Sequence, residues 1–253
     1  MTAVAGLVHA EVGTDEVAVV RLDHPPANAV DTATCEALAE TLRSVGSARA
    51  IVLTGEGRLF CGGGDLGSFV DGDTLVLETL SETAHAAAEA VRVLHAGPPV
   101  VAAVNGTVAG AGLGLALSCD VRISAPGVRF VGGFAALGLS PDTATSYFLP
   151  RTVGRSRALR LLLDPAGIDV DRALAWGLVD EIAPEGTVLE AARALAASLG
   201  RAPREAAVAS RALIDSTNAL EPHLSEEIRS LTSLAAAPAV AERVRAFLAG
   251  GPR

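Results

Sequence analysis

The chain contains no lysine. All 20 of its basic residues are arginine, set against 29 acidic residues for a formal net charge of −9. Schiff-base chemistry on a lysine amine is therefore excluded. A nucleic-acid partner is disfavoured, because binding phosphates takes a basic face. An anionic ligand has to be held locally, by arginine or by backbone N–H groups, against the charge of the whole molecule. Cysteine is almost as scarce. Cys35, Cys61 and Cys119 form no CxxC pair, which removes a zinc ribbon and a disulfide framework and leaves buried free thiols in a reducing, cytoplasmic compartment. There is no G-x-S-x-G elbow, so a serine hydrolase is unsupported. The N-terminal stretch MTAVAGLVHAEVG has neither the basic n-region nor the long apolar h-region of a signal peptide. His85 and His95 have no carboxylate or cysteine at metal-ligand spacing, so no metal is expected and both read as solvated or packed side chains.

What is present is apolar and small. Half of the 253 residues are hydrophobic and only 3% are aromatic, which suits buried strands and closely approaching helices. From Val93 to Cys119 there is no Asp, Glu or Arg, a run long enough to span a membrane. Pro98, Pro99, Asn105 and five glycines interrupt it, so a buried strand, a turn and a buried helix explain it better and no membrane insertion is expected. Strands are expected over Val4–Val12, Val17–Leu22, Ala50–Thr54, Val100–Val104, Val121–Ser124 and Arg129–Val131. A helix is expected after an Asp31 N-cap, running to Val45. A second, over Thr74–His95, carries Leu77, Leu80, Ala84, Ala87, Val91 and Leu94 on one face. Alternation of strands and helices argues for an α/β fold. After Pro184 the pattern is helical: Thr187–Leu199, Pro203–Thr217, Pro222–Ala235 and Pro238–Leu248.

Two glycine-rich constellations carry chemistry. In LTGEGRLFCGGGDL (53–66) an apolar strand runs into Gly62-Gly63-Gly64-Asp65. Such glycines let a ligand approach the backbone and can turn successive N–H groups toward an anion, although a plain connecting loop reads the same way. In PVVAAVNG (99–106) followed by GAGLGLALSCD (110–120), a strand leads to a glycine-rich helix start whose N–H groups can face a developing negative charge. A dinucleotide fingerprint fails there, because its third glycine is Leu115; close helix–sheet packing is the plain alternative.

Taken in order, these segments resemble the crotonase (enoyl-CoA hydratase/isomerase) family. FVGGFAALGLSPD (130–142), LPRTVG (149–154), the early HPPANAV (24–30) and ALAWGLV (173–179) extend the resemblance over nearly the whole chain. The resemblance implies a spiral of ββα units over residues 1–200 that binds CoA and the acyl group. It also implies a helical C-terminal region, 201–253, that builds a homotrimer or a dimer of trimers. The substrate would be an acyl-CoA thioester, with no further cofactor. The oxyanion hole falls on the backbone N–H groups of Gly64 and Ala111, with Gly62 and Gly63 beside them; two preoriented donors stabilise an enolate more than the neutral thioester.

The departures from the family pattern are informative. Hydratases of this family use two glutamates to handle water, and their positions here hold Gly114 and Phe134. Neither can transfer a proton, so conventional hydration is not expected, and Phe134 is expected to shape an apolar acyl pocket. Asp142 stands where isomerases of the family carry a catalytic aspartate. One carboxylate in an apolar pocket suffices for a 1,3-proton shift. The same residue also reads as a helix cap ahead of Thr143. An acyl-CoA isomerase is the leading reading. Decarboxylation or thioester hydrolysis in the same oxyanion hole, and a non-catalytic acyl-CoA-binding subunit, are the rivals. Arg21 and Arg58 are candidates for the CoA phosphates, and Glu78 and Glu82 are the fallback acids.

Overall fold

A computed structural model describes residues 6–71, 74–214 and 220–250. The chain opens with β1 (Val8–Val12), β2 (Val17–Leu22), α1 (Thr32–Ser44), β3 (Ala50–Gly55) and β4 (Leu59–Cys61). A short hairpin of β5 (Val70–Asp71) and β6 (Thr74–Leu75) leads into α2 (Leu77–Ala96). Next come β7 (Val100–Val104), β8 (Thr107–Ala109), α3 (Ala111–Leu117), β9 (Val121–Ser124), β10 (Arg129–Val131), α4 (Phe134–Leu137), α5 (Thr145–Val153) and α6 (Arg155–Leu163). Then β11 (Ile168–Asp169), α7 (Val170–Trp176) and β12 (Glu181–Ile182) precede four helices: α8 (Val188–Leu199), α9 (Arg204–Ile214), α10 (Leu220–Ala235) and α11 (Pro238–Leu248).

The strands divide between two main sheets, ordered β1-β2-β3-β7-β9-β12 and β11-β10-β8-β4. Successive strand pairs split in the same way each time: β3, β7 and β9 enter the larger sheet, and β4, β8 and β10 enter the smaller one. That repetition is the spiral of ββα units. In the larger sheet only β1 and β2 pair antiparallel; its other pairings are parallel. A parallel sheet has to be covered on both faces, which is why β3 and β7 read as unbroken apolar runs. Ile51, Leu53, Val100, Ala102 and Val104 face one core with α1, α2 and α3, while Ala50, Val52, Val101 and Ala103 face α8.

Local signals explain some element ends. Asp31 caps α1, its side chain accepting from Thr34 N at 2.7 Å. The uncharged 93–119 stretch resolves into the end of α2, two strands and the wholly buried α3. Among the described residues no helix is long and apolar enough to cross a membrane. The three thiols are buried and free, and burial pushes Cys61 and Cys119 up to about 12.

Several expectations need correction. α2 begins at Leu77 rather than Thr74, because Thr74–Leu75 pair with Val70–Asp71. Leu77 is consequently exposed, while the rest of its stripe is buried. β1 begins at Val8; residues 4–5 of the expected strand lie outside the described residues, as do 215–217 of the expected Pro203–Thr217 helix. The C-terminal helices were expected to build a trimer interface, the apolar stripe of α10 being covered by the core or by another subunit. Leu224, Ile228 and Leu231 are buried with Leu80, Ala84, Val91 and Tyr147 of the same chain, and Leu234 is exposed. An amphipathic helix buries its apolar face on the nearest apolar surface, and α2 with α5 supplies it.

Two arginines tie α9 to the core: Arg204 donates to the carbonyls of Gly46 and Ala48, and Arg211 makes the larger set of bonds. Arg211 donates to Asp120 Oδ1 at 2.7 Å and to the carbonyls of Leu94, Gly97 and Pro98 around the end of α2. Arg211→Met should keep the aliphatic packing but lose these charge-assisted bonds, lowering stability by about 1.5–3 kcal/mol in urea unfolding. An unchanged midpoint would show that α9 is held by something else.

Candidate active site

The two glycine constellations meet. Gly62 N donates to Ala27 O at 2.9 Å, Val30 N to Gly63 O at 2.8 Å and Asp65 N to Val30 O at 2.9 Å, so the loop is sewn to 27–30 on both sides of Gly64. The amides of Asn28 and Asn105 hold the turn before β4 through the carbonyls of Glu56, Gly57 and Leu59. The Gly64 N–H, between these anchors, has no backbone acceptor among the described residues. At the other loop Gly110 N donates to Val131 O, and Ala111 N is the first N–H of α3, which a helix cannot satisfy internally. The loops touch backbone to backbone: a Cβ on Gly63 would lie 3.0 Å from Ala109 O, and one on Gly110 would lie 3.5 Å from Gly63 Cα. Both glycines have positive φ, 103° and 52°, so that close approach needs glycine twice over.

Gly114 and Phe134 border the same helix start. Phe134 is buried at the first position of α4, and a Cβ on the preceding Gly133 would lie 3.6 Å from Gly110 N. At Gly114 a Cβ would stand 2.3 Å from Thr143 O and 2.7 Å from Thr145 Oγ1. The space that a longer side chain would need is filled by the backbone that follows Asp142.

That backbone is unusual. Thr143 and Ala144 have φ of 53° and 57°, a left-handed conformation that costs about 1–3 kcal/mol at each non-glycine residue. α5 therefore starts at Thr145, not at Thr143, and its N-cap residue is Ala144, which has no side chain to cap with. Asp142 does not cap the helix. Its Oδ1 accepts from the Thr143 hydroxyl at 2.8 Å, and burial pushes the carboxyl up to about 6. The capping is done by Glu227, from α10. Its Oε2 accepts from Ala144 N and its Oε1 from Ser146 N, both at 2.8 Å, and Ser146 Oγ donates to Oε1 at 2.5 Å. Burial, with the charge of Asp142 adding to it, raises Glu227 to about 7 despite these donors. Ser140 Oγ and Thr145 Oγ1, on either side of Asp142, are buried without a hydrogen-bond partner among the described residues.

Glu227 was not among the residues picked out from sequence. A signal was available: it stands between Leu224, Ile228 and Leu231 on the apolar face of α10, where a charge is out of place.

The matched sequence profile is that of the enoyl-CoA hydratase/isomerase family, and it extends over residues 13–249. The chain belongs to this crotonase family. A probable enoyl-CoA hydratase of Rhodobacter capsulatus is 38% identical over 246 residues, covering 94% of each chain. A 1,2-epoxyphenylacetyl-CoA isomerase of Escherichia coli is 36% identical over 220 residues, 84% of each. A 4-chlorobenzoyl coenzyme A dehalogenase of Arthrobacter is 30% identical over 244 residues, 92% of this chain and 88% of the relative. Among solved structures, an enoyl-CoA hydratase from Bacillus halodurans superimposes with a TM-score of 0.86 at 27% identity, covering 95% of this chain and 99% of the other. The crotonase fold and an acyl-CoA-processing role follow from the family.

Other ionisable groups lie elsewhere in this crotonase. Glu78 and Glu82 line an open recess of about 1000 Å³ between α1 and α2, together with Glu36, Glu40 and Glu89. Five carboxylates make it a poor seat for an anionic CoA ester, and neither Gly64, Ala111 nor Asp142 lines it. His24, Asp31 and Asp65 each bring a potential metal donor atom within 4.8 Å of the others. Asp31 is already engaged as the cap of α1, and Asp65 Oδ1 accepts from Gly67 N. Arg21 pairs with Glu11 at 3.5 Å, and Arg58 is exposed before β4.

The crowding at Gly114 is directly testable. Gly114→Ala should cost about 1–3 kcal/mol in denaturant unfolding, because the added methyl meets fixed backbone. Gly114→Glu should unfold the protein rather than restore a hydratase-type acid. A Glu variant that folds normally would mean that the Thr143 turn yields.

Proposed function

We propose that this crotonase is an acyl-CoA isomerase that shifts a double bond through a thioester enolate. In this reading the Gly64 and Ala111 N–H groups hold the thioester oxygen, and Asp142 takes a proton from one carbon and returns it at another. Gly62 and Gly63 let the acyl chain approach the loop, Phe134 and Gly114 bound its apolar side, and Arg21 and Arg58 are the candidates for a CoA phosphate. No metal or redox group is needed for a proton shift. The observation that carries the reading is the freedom of Asp142: its carboxyl is raised to about 6 by burial and is not spent on capping α5, a task that Glu227 performs.

The chemistry balances with one group. The Asp142 carboxylate accepts the α or γ proton while the electron pair moves onto the thioester oxygen. Two preset N–H donors stabilise that negative charge as it forms. The same carboxyl, now neutral, returns the proton at the far end of the dienolate. A base whose pKa lies near working pH is well matched to both steps. Hydration, in contrast, needs water to be positioned and activated, and Gly114 and Phe134 provide neither acid nor base. The naming of the Rhodobacter relative as a probable hydratase makes this the point to test. Crotonyl-CoA should be hydrated slowly or not at all, and a rate equal to that of ordinary hydratases would overturn the assignment.

Asp142→Asn should lower kcat for a 3-enoyl-CoA by roughly 10²–10⁴-fold, with KM little changed, since the amide keeps the shape and removes the basicity. The base acts ionised, and its pKa is raised. Activity of the natural protein should therefore fall as pH drops through about 6 and should level off above it. A flat profile from pH 5 to pH 8 would contradict the role. The homotrimer or dimer of trimers remains part of the proposal, supported by exposed Leu213, Ile214, Phe247 and Leu248 on α9 and α11. Sedimentation of a monomer at micromolar concentration would defeat it.

A further inference from the structure

Glu227 is a carboxylate in the wrong place for stability alone. It is 5% exposed, among Leu224, Ile228 and Tyr147, and no arginine pairs with it among the described residues. The nearest cationic candidate is His223, at 3.7 Å, which burial and the nearby charge of Arg151 hold toward the neutral form. Arg151 itself lies over the Tyr147 ring, 3.7 Å from its centroid, and donates to Tyr147 O. Burying a carboxylate with neutral donors and no counter-ion is expensive. A helix start can be capped far more cheaply by Ser, Asn or Asp at its own N-cap. Here that position is Ala144, and the cap arrives from 83 residues away.

What the distant cap achieves is control of the turn. Two left-handed non-glycine residues in succession, Thr143 and Ala144, are the connection between Asp142 and α5. Bonds from Ala144 N, Ser146 N and Ser146 Oγ converge on one carboxylate that is carried by a separate helix. A rigid external anchor of this kind fixes where the turn, and the carboxyl at its head, can sit. We propose that Glu227 is a positioning residue for the reacting carboxyl, pinning the Thr143–Ala144 turn from α10 so that Asp142 is presented to the substrate in one orientation. The proposal rests on the reading that Asp142 moves the proton.

Glu227 also faces Asp142 electrostatically, and the two carboxyls repel. The ionisable groups around Glu227 are Asp142 from the turn, His223 and Glu226 from its own helix, and Arg151 beyond the tyrosine ring. Coupled acids titrate as a pair. The Asp142 carboxyl carbon should therefore report two inflections, its own near 6 and a second near 7 as Glu227 ionises.

The experiment combines kinetics on a 3-enoyl-CoA with carbon-13 NMR titration of the Asp142 carboxyl, assigned with Asp142→Asn. In Glu227→Gln the upper inflection should vanish and kcat should fall at least about tenfold, because misplacement of the base is costly. KM should stay within about twofold, since ground-state contacts are retained. Glu227→Asp keeps the charge but shortens the reach, so it should keep the second inflection and still lose kcat. If the Gln variant does not fold, the Asp variant and Ser146→Ala carry the same test. Adding Ala144→Gly to Glu227→Gln should recover part of kcat, because glycine takes positive φ without the anchor. If Asp142→Asn is inactive while Glu227→Gln keeps kcat within about twofold and an unchanged titration curve, Glu227 is structural only and the positioning role is wrong. If Asp142→Asn is fully active, the base assignment itself has failed, and the positioning role falls with it.

Discussion

Where β4 ends and α3 begins, two glycine loops lie backbone against backbone, with Gly63 on Ala109 and Gly110 on Gly63. A side chain at either position would separate them, and at Gly112 it would strike Cys61 O at 2.5 Å. The contact is possible because β4 and β8 are neighbours in the smaller sheet and both loops leave it at the same end. It brings the Gly64 and Ala111 N–H groups into one neighbourhood, and the arrangement of Phe134, Gly114 and the Asp142 turn around α3 follows from it. Paired backbone donors need no particular side chain. The chemistry of such a site is then decided by which acid or base stands opposite.

In this chain the opposite wall is the turn that follows Asp142. A glutamate on the first turn of α3 has no room, since Thr143 O and Thr145 Oγ1 occupy the space beside Gly114. The turn that fills it also carries Asp142, and it is held by Glu227. Gly114, Asp142 and the buried carboxylate on α10 thus meet at one left-handed turn, which packs on the first, carries the second at its head and is bonded by the third. The energetic direction is consistent. About 1–3 kcal/mol of local strain at each of two residues persists only because the surrounding structure over-determines the turn, and three hydrogen bonds to one carboxylate are the visible part of that constraint.

The fold was largely legible from sequence because its signals are local. Apolar runs such as 50–54 and 100–104 mark doubly covered parallel strands, Asp31 marks a helix start, and the glycine runs mark close backbone approach. The α/β class follows from these, and the crotonase spiral from the family resemblance that the ordered motifs carry. The unread parts are set by distant contacts. The start of α2 was misplaced because Thr74–Leu75 pair with a strand of two residues, too short to leave a pattern. The cover of the α10 stripe, core or partner, stayed open because periodicity reveals an apolar face and not what covers it. The double reading of Asp142, base or cap, could not be resolved locally either. The capping half is answered by φ at Thr143 and Ala144 and by a carboxylate 83 residues onward, while the base half is the proposal.

The account stands on Asp142 as the group that removes and returns the proton, and isotope exchange reads that step without depending on which end of the chain is favoured. The protein is incubated with a 3-enoyl-CoA in deuterium oxide and label at the α and γ carbons is followed by NMR or mass spectrometry. The natural protein should wash deuterium into the substrate at a rate linked to isomerisation, and Asp142→Asn should lose exchange and isomerisation together. Full retention of deuterium exchange in Asp142→Asn would contradict the account and move the base elsewhere in the site.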